Sequence, residues 1–152
     1  MTLRLGQPGE KLIKDSEVLM LKPYHGAADA PEIFTIGWGA IRYLDGTRVR
    51  LTSPPITKEQ AQALFARDTF TPLQCLEACI SKELGQNQVD ALVSLIFNIG
   101  TTNFEHSMLL RNINRGEEDR IEDRWLAWDH AAGREVGGLL KRRKAEYALF
   151  IS

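Results

Sequence analysis

Apolar residues near the start of the chain recur at helical spacing. Leu12, Ile13, Leu19 and Met20 form a stripe, Pro8 suits a first helical turn and Pro23 stops the pattern, so residues 7–21 predict a first helix. The period then changes. Residues 33–36, 40–44 and 47–51 are short, alternating and β-prone, with a turn at Asp45-Gly46, and predict a small antiparallel hairpin sheet. Pro54-Pro55 punctuates the chain, and the pattern is helical beyond it. Thr57-Lys58-Glu59-Gln60 reads as a capping box, with Thr57 as cap and Gln60 at the third helical position. That helix is expected to run to about residue 69, with Thr71-Pro72 kinking or interrupting it before a segment that reaches residue 82. Gly85 breaks the segment.

Residues 86–99 contain Val89, Ala91, Leu92, Val93, Leu95, Ile96, Phe97 and Ile99, which surround the helix instead of striping it. A helix apolar all round is buried, so this one is expected at the centre of a helical lobe, with Gly100 as its stop. Further helices are expected near 104–114, 117–130 and 137–150, separated by Gly116 and by a turn at Ala132-Gly133. The pattern as a whole predicts an α+β, mainly α fold: a small N-terminal lobe with a β-hairpin sheet, then a larger C-terminal helical lobe. Clefts between lobes are common places for a polymer to bind.

Composition narrows the function classes. The 152 residues are enough for one well-filled domain, and 43% hydrophobic with 26% charged content is ordinary for a globular protein. A formal net charge of −1 gives no global attraction to nucleic acid or anionic membranes, so no nucleic-acid partner is expected. The basic run Lys141-Arg142-Arg143-Lys144 and the acidic Glu117-Glu118-Asp119 read as solvated helix faces. The first ten residues lack the apolar core of a secretory signal, and no run approaches the ~20 apolar residues that span a bilayer. Synthesis in the cytoplasm, without stable membrane insertion, is the expectation. Cys75 and Cys79 share a helical face where direct bridging is disfavoured, and read as buried reduced thiols. His25, His106 and His130 are scattered and make no metal-ligand spacing with them, so neither metal nor organic cofactor is implied.

Candidate chemistry begins at Glu17, which precedes the string Phe34-Thr35-Ile36-Gly37-Trp38-Gly39. An acid at a helix end facing a hairpin hydroxyl can form two walls of a cleft, and cleaving a sugar acetal needs a proton donor and an acceptor on opposite sides of the bond. Taken alone, Glu17 is a solvated helix-end charge, Thr35 an ordinary strand residue, and Gly37 and Gly39 allow a bulge or a close backbone approach. Trp125 and Trp128, three apart, suit core packing of the last helices better than stacking on sugar.

Four stretches, in order from about residue 7 to 150, resemble the phage-type lysozymes, the endolysins of glycoside hydrolase family 24. They are Glu17 in Lys14-Asp15-Ser16-Glu17-Val18-Leu19-Met20-Leu21-Lys22-Pro23-Tyr24, similar to the family's Glu-Gly-Leu-x-Leu-x-x-Tyr; Thr35-Ile36-Gly37-Trp38-Gly39; Gln86 through Ser94 with Phe97-Asn98-Ile99-Gly100; and Phe104 through Ser107 and Asn114-Arg115-Gly116 to Trp128, Gly138-Leu139 and Arg142-Arg143. The resemblance implies one catalytic domain over residues 1–152, expected as a monomer, hydrolysing the β-1,4 bond between N-acetylmuramic acid and N-acetylglucosamine in bacterial peptidoglycan. The family's catalytic glutamate falls on Glu17 and its threonine on Thr35. Phe97 and Ser107 fall on positions that line the sugar groove, although Phe97 also suits the core and Ser107 a helix cap. Arg142 falls where an arginine approaches the catalytic glutamate, with a plain surface arginine as the alternative.

Two departures stand out. The interval from Glu17 to Thr35 is three residues longer than in the family. Counting forward from Glu17 lands on Gly26 and counting back from Thr35 lands on Asp29; an insertion within His25-Gly26-Ala27-Ala28 keeps Asp29 as the second carboxylate, with Glu32 as its rival. Ala40 stands where many relatives carry histidine, which bears on stability more than chemistry. A carboxylic acid that donates a proton near neutral pH needs apolar neighbours, for which Val18, Leu21 and Ile36 are candidates. Asp29 and Thr35 would hold a water on the other face of the sugar, the inverting arrangement; a retaining route would need Asp29 close enough to attack directly. The other readings of the same chain are an injected antibacterial toxin, a peptidoglycan-binding module that has lost its carboxylate, and a lytic transglycosylase, which needs only the acid.

Overall fold

A computed structural model describes residues 2–26, 29–131 and 134–152. The fold is mainly helical with two small antiparallel sheets, and the chain divides into two compact units. One unit holds Lys14–Phe70; the other holds Met1–Ile13 and Thr71–Ser152. Helices α1 (Gln7–Glu17) and α2 (Lys58–Cys79) each contribute residues to both.

In the smaller unit, α1 stops at Glu17, short of the expected residue 21. The apolar residues that extend its stripe are taken by strand β1 (Met20–Tyr24), which pairs antiparallel with β2 (Thr35–Gly37). Met20 faces Gly37 and Tyr24 faces Thr35, with a bulge in β1 between them. Sheet pairing thus outcompetes helical periodicity over residues 20–24. The expected strands at 40–44 and 47–51 reduce to the single bridges Ile36–Ala40 and Arg42–Arg48. The Asp45-Gly46 turn forms: Asp45 Oδ1 accepts from the Thr47 N–H at 2.9 Å and from its hydroxyl at 2.7 Å. Ile36, Ala40, Val49 and Leu64 form the core of this unit, with Phe34, Tyr43 and Ile56 packed on it. Ala40 is one of its buried members.

The capping box forms as expected. Thr57 Oγ1 accepts the Gln60 N–H at 3.1 Å and Gln60 Oε1 accepts the Thr57 N–H at 2.8 Å. Pro72 does not interrupt α2, which continues to Cys79. A proline removes one helical N–H, and here the buried Cys75 and Leu76 that follow hold the chain in the helix.

In the larger unit, α3 (Gln86–Ile99) is the buried helix the pattern predicts: every residue from Val89 to Ile96 is buried. It starts at Gly85 and stops at Gly100, whose φ is 90°. The span expected as one helix at 104–114 is two, α4 (Thr101–Glu105) and α5 (Met108–Arg115), separated at Ser107, which is the helix cap its sequence offered as one reading. A 3₁₀ turn at Glu118–Arg120 leads into α6 (Ile121–Leu126), and a two-residue hairpin, β3 (His130–Ala131) with β4 (Arg134–Glu135), precedes α7 (Gly137–Phe150). The expected turn at Ala132-Gly133 lies outside the described residues. Helix α7 packs chiefly on α3. Trp125 is fully buried and clusters with Tyr147 and Phe150, with ring centroids 6.1 and 5.1 Å away. Trp128 is half-buried.

The run at 141–144 is not a solvated basic face. Lys141 and Lys144 are exposed, but Arg142 and Arg143 are buried with Glu146. Arg143 Nε pairs with Glu146 Oε1 at 2.6 Å, and Arg142 Nη2 donates to the Ser94 carbonyl at 3.2 Å. Burial pushes the Glu146 carboxyl up to about 7, against the pull of Arg143, Arg142 and Ser94. Cys75 and Cys79 are free thiols, Cys75 buried and Cys79 partly so. No helix among the described residues is long and apolar enough to cross a membrane.

Candidate active site

In the smaller unit, the end of α1 lies beside the strand–turn 35–39. Glu17 is the last residue of α1 and is half-buried. Its carboxylate lies against the backbone of Gly39: a Cβ on that glycine would stand 3.1 Å from Glu17 Oε2. Gly39 also has a φ of +88°, so close approach and backbone conformation both call for glycine there. Of the three apolar neighbours expected around the acid, Ile36 is fully buried and Leu21 half-buried, whereas Val18 is 60% exposed. Val18 is instead the residue that ends the helix, with φ +55° and its N–H on the Lys14 carbonyl at 3.0 Å.

Thr35 opens β2 and is only 7% exposed. Its hydroxyl has no hydrogen-bond partner among the described residues. A buried hydroxyl in that state is costly unless something, such as a water, fills its needs.

Asp29 closes a local turn. Its Oδ2 accepts the Gly26 N–H at 3.0 Å, and its own N–H donates to the Gly26 carbonyl at 3.1 Å. A side chain on Gly26 would collide with that carboxylate. His25 Nε2 lies 2.9 Å from the Ala30 carbonyl and its ring packs edge-on to Phe34, 5.7 Å between centroids. Asp29 is half-buried, while Glu32 is exposed in a turn. Ala27 and Ala28, where the insertion is expected, lie outside the described residues.

Lys14 and Trp38 are neighbours in the chain of Glu17 and Gly39, and the sequence reading gave neither a role of its own. Lys14, one helical turn before Glu17, places Nζ 4.2 Å from the Trp38 ring centroid and 5.0 Å from that of Phe65, and donates to Gln62 Oε1 at 2.6 Å. Trp38 packs edge-on to Phe65 at 5.7 Å. The end of α1 is thereby tied to α2 and to the strand–turn that faces Glu17. The i, i+3 spacing of Lys14 and Glu17 was the available signal, but its aromatic partners are distant in sequence.

The remaining candidates lie in the larger unit. Ser107 caps α5, accepting the Leu110 N–H at 3.1 Å and donating to the Phe104 carbonyl at 2.7 Å. Phe97 is half-buried on α3. A concavity of about 670 Å³ in this unit is lined by Lys82, Gln86, Glu118, Tyr147 and Phe150, and by none of these candidates. Among the described residues, no group of three or more His, Cys, Asp or Glu side chains is placed to hold a metal ion.

Residues 14–146 match the family model "Phage lysozyme". The chain is 37% identical to an endolysin of Acyrthosiphon pisum secondary endosymbiont phage 1, the alignment covering 99% of both chains. It is 35% identical to the endolysin of Salmonella phage P22, again over 99% of both. The solved endolysin of Escherichia coli O157:H7 phage FAHEc1 superposes with a TM-score of 0.88 at 31% identity, covering all of this chain and 96% of that one. The chain belongs to the phage lysozyme family. It is therefore a glycoside hydrolase of the lysozyme type, and the α+β architecture is that of phage lysozymes.

Proposed function

We propose that this phage lysozyme acts as an endolysin on bacterial peptidoglycan through Glu17, Asp29 and Thr35. The observation that carries the assignment is Glu17, seated with its carboxylate on the Gly39 backbone at the end of the strand that bears a buried, unsatisfied Thr35 hydroxyl. Glu17 gives its proton to the oxygen of the β-1,4 bond between N-acetylmuramic acid and N-acetylglucosamine. The C1–O bond breaks as a water attacks C1 from the opposite face, and the glucosamine leaves with its 4-hydroxyl restored. Asp29 accepts the proton of that water, and Thr35 fixes its orientation through the hydroxyl. This is the inverting sequence, in which the second carboxylate activates a water and does not attack the sugar itself. The turn that holds Asp29, set against the exposed Glu32, supports Asp29 as that base.

Phe97 and Ser107 contact the sugar chain in this reading; the Ser107 hydroxyl keeps one lone pair beyond its cap. The protein acts as a monomer, with no nucleic-acid partner, and reaches the wall from the cytoplasm once the membrane has been permeabilised.

The test is the chemistry of the first products from purified peptidoglycan, followed by proton NMR from the start of digestion. Reducing-end muramic acid appearing first as the α-anomer is the expected result. A β-anomer would reverse the stereochemistry proposed for Asp29. An anhydro-sugar would make the protein a transglycosylase, and binding without products would make it a wall-binding module.

A further inference from the structure

The stretch from residue 40 to 51 carries three arginines, Arg42, Arg48 and Arg50, and no lysine. The proposed reaction gives them no role. Arg42 and Arg48 face each other across a bridge, an arrangement that costs stability when the charges are alike. All three are exposed, and none forms an ion pair with a carboxylate of the described residues. Arg42 Nη1 donates to the Gly46 carbonyl at 2.9 Å. The one acid of the stretch, Asp45, accepts from the Thr47 N–H and hydroxyl, and leaves a local net charge of +2 against the three arginines. The net charge of −1 on the whole chain averages this patch away.

Leucines stand where the chain reverses. The Gly46 N–H donates to the Tyr43 carbonyl at 3.0 Å and closes a turn with Leu44 in its second position. The Ser53 N–H donates to the Arg50 carbonyl at 2.9 Å and closes another with Leu51 in its second position. Turns favour Gly, Pro, Asn, Asp and Ser, yet these tips carry leucines 63% and 65% exposed. The two turns bracket the Arg42–Arg48 bridge. Val49 is buried and Tyr43 packs on the same core, so Arg42, Leu44, Arg48 and Arg50 fall on the side away from it by the period of two. Beside Leu44 opens a cavity of about 460 Å³, walled chiefly by Tyr43, Leu44, Pro54, Pro55, Ile56 and Leu64.

We propose that this face is a peripheral docking surface for an anionic phospholipid bilayer. Guanidinium forks match phosphate oxygens two at a time, and the leucine tips enter the boundary between headgroups and acyl chains. Carboxylates of the wall peptide would occupy the arginines but leave the leucines and the apolar cavity in water, so the bilayer is the better match. Each arginine beside an anionic surface contributes about 5-fold to partitioning, which makes the attachment reversible and sensitive to salt. Such docking holds the enzyme at the bilayer that faces the wall. The surface lies wholly within the unit Lys14–Phe70 and does not depend on the roles of Glu17, Asp29 and Thr35.

The test is co-sedimentation of the full chain, at low ionic strength, with vesicles of phosphatidylglycerol and phosphatidylcholine and with vesicles of phosphatidylcholine alone. Wild type should favour the anionic vesicles by about 10- to 100-fold and release them as salt is raised. Arg48→Gln/Arg50→Gln is expected to lower binding about 25-fold, and Leu44→Ser/Leu51→Ser about 10-fold. Lys141→Gln/Lys144→Gln removes two exposed charges from the larger unit and should leave binding within about 2-fold. Melting temperatures check that each variant folds; if the arginine double variant does not, Arg48→Gln and Arg50→Gln serve singly at about 5-fold each. Wild type that ignores anionic vesicles overturns the proposal. So does full binding by the folded arginine variants, or an equal loss in the lysine variant. Binding to purified peptidoglycan on ice is measured in parallel. Wall binding lost in the arginine variant, with no vesicle binding by wild type, would assign the patch to the carboxylates of the wall peptide and overturn the bilayer as partner.

Discussion

Val18 is a β-branched residue in the left-handed region, with φ +55°, directly after Glu17. Its N–H completes a helical bond to Lys14 at 3.0 Å, which makes it the C′ residue of α1, a position that glycine fills at no steric cost. An L-residue there costs about 1–2 kcal/mol, and branching at Cβ places valine toward the upper end. Val18→Gly relieves that strain. The glycine chain gains entropy when unfolded, which offsets about 0.4–1 kcal/mol, and a side chain 60% exposed loses little burial. The net expectation is a gain of about 0.5–1 kcal/mol, a rise of roughly 1–4 °C in melting temperature for a domain of this size. Differential scanning calorimetry of wild type, Val18→Gly and Val18→Ala measures it. Alanine keeps a Cβ in the left-handed region and should gain little. A fall in the glycine variant, or an equal gain in the alanine variant, would refute strain at Val18 as the governing quantity.

The remaining predictions concern other parts of the chain. Gly39→Ala places a methyl 3.1 Å from Glu17 Oε2 at a φ of +88°, and should cost about 1–2 kcal/mol of stability and most of the activity; a variant with wild-type turnover would show that Glu17 tolerates displacement. Glu146, raised from its ordinary 4.5 to about 7, contributes stability that is full below about pH 4.5 and lost as pH rises through about 7. Wild type should therefore lose melting temperature relative to Glu146→Gln between pH 5 and 8, and a constant or growing advantage would contradict the burial account. Burial pushes the Cys75 thiol up to about 12, with Cys79 and Glu105 adding to it. Alkylation at pH 8, mapped by mass spectrometry, should reach Cys75 only after unfolding.

The parts legible in the sequence are those whose cause is local. The Thr57–Gln60 box and the glycine stops at Gly100 and Gly116 each act within a few residues, and each stands where the pattern put it. The apolar residues on all sides of α3 announced its burial for the same reason. What the sequence hid is tertiary. Leu19 and Met20 continue a helical stripe, and only pairing with Thr35–Gly37 draws residues 20–24 into a strand. Arg142 and Arg143 read as surface charge until Glu146 and Ser94 enclose them. The hairpin at β3 and β4 is too short, at two residues a strand, to leave a period. In the site, Glu17 and Thr35 were marked by their motif. The turn from Gly26 to Asp29, the Lys14–Trp38 stack and the seat of Glu17 on Gly39 depend on chain approaches that spacing does not encode.

The central claim is that Glu17 and Asp29 together hydrolyse the wall glycan. Its most direct test is muropeptide analysis of purified peptidoglycan digested by wild type, Glu17→Gln, Asp29→Ala and Glu32→Ala. The account predicts reducing-end muramic acid products from wild type and Glu32→Ala, and none from the other two. Products that survive Asp29→Ala and vanish in Glu32→Ala would move the second carboxylate to Glu32, and products that survive Glu17→Gln would contradict the account at its root.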